Sequence, residues 1–114
     1  MSFEIEKINW PQGEADKQEL AFSATQAVTV KNMMTILNFA ILTGACTLNL
    51  TIDSQVRKGA LLKVIVPATA TEVLTLGTGI DGPVIQGVAG KTKTQGFFYD
   101  GTSFKPDGTS VQID

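Results

Sequence analysis

The sequence predicts an all-β fold: one β-sandwich or jelly-roll domain over residues 1–114, built of about eight or nine short, mostly antiparallel strands. Three observations carry this. Thr, Val and Ile together supply 32 of the 114 residues, and their branched side chains suit a pleated sheet better than a helix. Apolar residues recur at every second position through most of the chain, and turn-forming Gly, Pro and Asp interrupt them at short intervals.

From the N-terminus, Phe3 and Ile5 alternate with Glu4 and Glu6, a first strand that Trp10-Pro11-Gln12-Gly13 breaks. Glu14 to Glu19 is a polar connection. Leu20 and Phe22 open a second short strand, and Val28 and Val30 alternate with Thr29 and Lys31 in a third. Residues 32–42 fit a helix face through Met33, Ile36, Leu37, Ala40 and Ile41, or a strand through Leu37, Phe39 and Ile41. The β-rich surroundings and the early Thr43-Gly44 break favour the strand.

Cys46 to Ile52 is the clearest strand, with Cys46, Leu48, Leu50 and Ile52 on one face and Thr47, Asn49 and Thr51 on the other. In Leu61 to Val66 the alternates Leu61 and Ile65 are apolar as well, which predicts a central strand covered on both sides. Val73 to Leu76 is a further strand. Five glycines between Gly77 and Gly90 then mark a long irregular connection. Thr92 to Tyr99 is extended, Asp100-Gly101 is a hairpin turn, and Thr102 to Lys105 is its return strand. Pro106-Asp107-Gly108 is another turn before a short strand at Val111 and Ile113. No internal repeat has a fixed period.

Composition narrows function by exclusion. Nine basic against eleven acidic residues give a net charge of −2 with the basic groups scattered, which disfavours a phosphate-tracking groove and hence nucleic acid. The chain has no histidine, so Ser-His, Cys-His and His-metal chemistry is ruled out. Cys46 is its only cysteine: an intrachain disulfide is impossible, and its phase with Leu48 and Leu50 predicts a buried, inert thiol. No apolar run is long enough to span a bilayer as a helix, and the acidic start does not resemble a secretory signal. A soluble chain without membrane contact is expected.

Gly90-Lys91-Thr92 lacks the earlier glycine of a phosphate-binding loop, Ile85 standing there instead. Asp81, Asp100 and Asp107 each precede glycine, as tight turns select, and no calcium-loop spacing is present. No catalytic residue, cofactor or metal site is expected. What remains is aromatic: Trp10, Phe97, Phe98, Tyr99 and Phe104 are candidate interface residues, since aromatic side chains are enriched at contacts. Burial between two sheets is the competing account of the same rings.

The run Thr47-Leu48-Asn49-Leu50-Thr51-Ile52, the strand led by Gly59-Ala60-Leu61-Leu62, the segment Leu74-Thr75-Leu76-Gly77-Thr78-Gly79 and the hairpin Phe98-Tyr99-Asp100-Gly101-Thr102-Ser103-Phe104 resemble small β-sandwich structural proteins of tailed-phage virions. The likeness is to capsid-decorating and head-fibre proteins and covers about half the chain. It implies a non-enzymatic protein of the virion, assembled in the host cytoplasm. It also implies a homo-oligomer, a trimer being favoured, that attaches to a capsid or fibre protein. Two rivals differ in kind: a glycan- or peptide-binding module using Trp10, Phe97 and Tyr99, and an enzyme using carboxylates such as Asp81 and Asp100.

Overall fold

The computed structural model describes residues 15–114. Trp10 and the strand expected around Phe3 and Ile5 lie outside them. The described residues form nine strands and no helix: β1 (Asp16–Leu20), β2 (Thr25–Val30), β3 (Met34–Phe39), β4 (Cys46–Ile52), β5 (Leu61–Pro67), β6 (Val73–Leu76), β7 (Ile85–Gln86), β8 (Thr92–Tyr99) and β9 (Phe104–Gln112). They make two sheets, ordered β1-β3-β5-β8-β9 and β2-β4-β6-β7. The all-β class, the strand count and the two-layer arrangement are as the sequence predicts.

The strand directions differ from expectation. The first six strands alternate between the sheets, and β1-β3, β3-β5, β2-β4 and β4-β6 all pair in parallel. Only β5-β8, β6-β7 and β8-β9 are antiparallel. The first half is therefore a two-sheet coil in which each turn lays one strand on each layer. Parallel neighbours need a long crossover, and here the crossover is the strand of the opposite sheet. The turns are unequal: Asp16 is in register with Thr35, and Thr35 with Leu62. Successive turns thus have different lengths, and no fixed period exists for the sequence to display.

Inward-facing side chains stack in columns. Leu37 lies beside Val64, Leu48 beside Leu76, and Leu74 beside both Cys46 and Ile85. Together with Val30, Leu62, Phe97 and Phe104 they form one core, each large apolar side chain contributing about 1.5–3 kcal/mol by its burial. The first turn departs from this pattern. Its inward positions on β1 are Asp16, Gln18 and Leu20, aligned with Thr35, Leu37 and Phe39, and only Leu20 is apolar. Gln18 Nε2 donates to Thr29 O on β2 at 3.1 Å, and Gln26 Nε2 donates to Ala21 O. Two glutamine side chains thus close this end of the core and occupy backbone acceptors that an incoming strand would use.

That cap explains why Glu14–Glu19, read from the sequence as a polar connection, contains a strand instead. Pro106-Asp107-Gly108 is likewise no turn: it lies within β9, an edge strand where proline is tolerated. The ladder slips there, with Gly108 in the left-handed region at φ 88°. Buried Gln95 spans the irregularity by donating to Gly108 O at 3.2 Å. The glycine-rich connection is irregular as expected, with β7 inside it. A Cβ at Gly79 would stand 2.7 Å from Leu50 O, and its φ is +78°; glycine is what lets this loop lie along β4.

Candidate functional site

β5 is central in its sheet, as its two apolar faces predict, but among the described residues no second layer covers its outward face. Register places Met34 of β3 beside Leu61 of β5 and Leu61 beside Phe98 of β8. All three are exposed, at 44%, 45% and 39%, and Met33 next to them at 46%. Three large apolar side chains in one row, with Met33 just before β3 beside them, are more than the singly scattered hydrophobes of an ordinary surface.

The next row of the same face runs Lys17, Ile36, Lys63, Gly96, Asp107. Gly96 has no side chain to offer, and a Cβ built there would meet nothing within 4 Å. The result is an open hollow of about 240 Å³ in which Met34, Ile36, Leu61, Lys63 and Asp107 surround the glycine. Lys63 and Asp107 set opposite charges on either side of a mostly apolar floor.

The aromatic candidates divide. Phe97 and Phe104 are 1% and 0% exposed, so they serve the core and offer no surface to a partner. Tyr99 packs against that core with its ring 5.2 Å from Phe104, and its hydroxyl donates to Gly101 O at 3.0 Å. Only Phe98 is presented outward. Trp10 is outside the described residues. Met33, Met34, Leu61 and Gly96 complete the face. Leu61 was the available signal, as the alternate of a strand apolar on both sides.

The structure brings together the two carboxylates of the enzyme reading. Asp81 Oδ2 accepts from Lys105 Nζ at 2.5 Å and from Ser103 Oγ at 2.6 Å; Asp100 Oδ2 is 3.9 Å from the same ammonium. Asp100 Oδ1 also accepts the amides of Thr102 and Ser103. Hydrogen bonds from Lys105 and Ser103 hold Asp81 below its usual pKa. Amide donation from Ser103 and Thr102 does the same for Asp100, and Asp81 raises that of Lys105. General-acid chemistry needs a carboxyl pushed the other way. The arrangement instead fastens loop to strand: Asp81 N donates to Phe104 O, and Phe104 N to Gly79 O.

Among the described residues no cluster of three or more Cys, Asp or Glu is placed to hold a metal ion. Cys46 is buried, and burial raises its thiol pKa. No helix of the described residues is long and apolar enough to cross a membrane. No family model matches the chain, and no curated protein matches it.

Proposed function

We propose that this chain is a non-enzymatic structural protein acting through protein–protein assembly, of the kind that decorates the capsid or builds the head fibre of tailed-phage virions. The observation that carries the reading is the outward row Met34, Leu61 and Phe98 with Met33 beside it, an apolar surface over which none of the described residues packs. Contiguous apolar surface rimmed by charge is what protein contacts use. A self-contact through this face produces a homo-oligomer, with a trimer favoured by the likeness to virion proteins, and leaves other surfaces for a capsid or fibre protein.

Light scattering over a concentration series tests it. The wild-type chain is expected to reach a discrete oligomer, and Leu61→Glu or Phe98→Glu to stay monomeric with the fold intact. A wild-type chain that remains a monomer at the highest concentration and captures no capsid or fibre protein overturns the reading. The hollow beside Phe98 supports one alternative, a glycan- or peptide-binding module. A glycan-array signal lost in Phe98→Ala, with no oligomer at any concentration, would select it.

A further inference from the structure

We propose that the partner seated on the outward face of the five-stranded sheet is a second copy of this chain, related by a twofold axis that crosses the strands between Gly96 and Phe98, so that Phe98 of each copy fills the hollow over Gly96 of the other. The inference rests on the reading of that face as the assembly contact and adds its partner, symmetry and seat. Two features of the face name this occupant, one of shape and one of charge.

Shape comes first. Phe98 and Gly96 lie two residues apart on β8 and on the same outward side, so ring and hollow are about 7 Å apart along one strand. The ring is exposed, and the hollow of about 240 Å³ exceeds the roughly 150 Å³ in which an apolar cavity holds benzene. In a twofold contact, residue i of one copy meets residue j of the other and j meets i. One rotation therefore fills both hollows.

The neighbouring strands repeat this two-residue offset. On β9, Lys105 is level with Phe98 and Asp107 with Gly96, and the same rotation sets Lys105 of each copy against Asp107 of the other. On β5, Leu61 and Lys63 occupy the two levels, so Leu61 lies on the aliphatic stem of the other copy's Lys63 and leaves the ammonium to water. On β3 they are Met34 and Ile36, apolar against apolar. No like charges are opposed on these four strands.

The other twofold axis in the plane of the face runs along β5. It keeps each residue on its own level and sets Lys63 of one copy on Lys63 of the other, a like-charge contact that disfavours it. The likeness to virion proteins favours a trimer, but a ring joins two different patches. Here ring, hollow, cation and anion share one patch, and such a patch closes as a pair.

Analytical ultracentrifugation of the full chain is expected to give a dimer. Gly96→Val sets valine against Phe98, and Phe98→Ala leaves the hollow empty. Each variant alone should need at least about tenfold higher concentration to associate, with a urea midpoint no lower for Gly96→Val and close to wild type for Phe98→Ala. An equimolar mixture of the two should associate as wild type does, because the introduced valine then meets the introduced alanine and the remaining Phe98 meets the remaining Gly96. Asp107→Lys, which leaves the hollow intact, should weaken association as well. A mixture that associates no better than either variant, or a wild-type trimer, overturns the pairing and leaves the assembly reading standing. A wild-type chain that is monomeric at every concentration overturns both and gives the face to a partner of other chemistry.

Discussion

At the scale of single residues, the polar atoms inside the fold show where it can be improved and where it is tied. Thr35 is fully buried on β3, and its hydroxyl has no hydrogen-bond partner among the described residues. A buried unpaired hydroxyl costs about 1–3 kcal/mol, and valine has nearly the same shape with good strand propensity. Thr35→Val is therefore expected to stabilise the protein by about 1 kcal/mol in urea unfolding; a loss of similar size would show that the hydroxyl is satisfied. The Asp81-Lys105-Asp100 tie has a pH signature of definite sign. Asp81 and Asp100 are lowered, so their contribution is complete above the ordinary carboxylate pKa of about 4 and is lost as pH falls through the lower folded values. Lys105 is raised, so its contribution is complete below the ordinary lysine pKa of about 10.4 and is lost as pH rises through the higher folded value. Lys105→Met should remove the Lys105 contribution to the alkaline limb of a plot of thermal midpoint against pH and shrink the acid limb, leaving the part that Asp100 owes to the Ser103 and Thr102 amides and Asp81 to the Ser103 hydroxyl. Unchanged limbs would place the dependence in other groups.

At the scale of elements, strands with one apolar and one polar face were legible in the sequence. Cys46–Ile52, Val73–Leu76 and Thr92–Tyr99 have the bounds that alternation and flanking turns predict. β1 was legible only at its end, because two of its three inward positions are the polar Asp16 and Gln18 of a capping turn and Leu20 alone is apolar, so alternation marked a strand from Leu20 onward and missed the residues before it. The Pro106-Asp107-Gly108 signal was sound as local chemistry, and the edge position of β9 turned it into a ladder irregularity. The candidate face was half legible: Leu61 and Ile65 announced a strand apolar on both sides, but no sequence pattern says which side lacks a second layer. Gly96 gives the sharpest element-scale prediction. Glycine inside a strand is unfavourable by about 0.5–1 kcal/mol relative to alanine, and a new side chain there meets open space. Gly96→Val should leave stability equal or higher by urea unfolding while removing self-association in scattering. A destabilised but still associating variant would show that the glycine serves the sheet and not the face.

At the scale of the whole molecule, the feature hardest to read from sequence was strand direction, because an alternating strand looks the same whether its neighbour runs parallel or antiparallel. The turns of the coil hide further by differing in length, so Asp16, Thr35 and Leu62 share a column without sharing a repeat. Stacked turns stabilise one another mainly through nearest neighbours, and this fixes where the fold opens. β1 and β2 are edge strands, each backed by a single neighbour and closed by Gln18 and Gln26. β4 and β5 have neighbours on both sides and carry Leu48, Leu50, Leu62, Val64 and Val66 into the core. The far end is stiffened instead by the antiparallel β8-β9 pair and the Asp81 tie. Native-state hydrogen exchange should therefore be graded, fastest in β1 and β2 and slowest in β4 and β5, because local opening follows the stability of each unit. Gln18→Ala, which removes the donor to Thr29 O, should speed exchange in β1 and β2 several-fold and leave β5 unchanged. Uniform protection across all nine strands, or acceleration that spreads to β5, would mean that the coil opens only as one cooperative block.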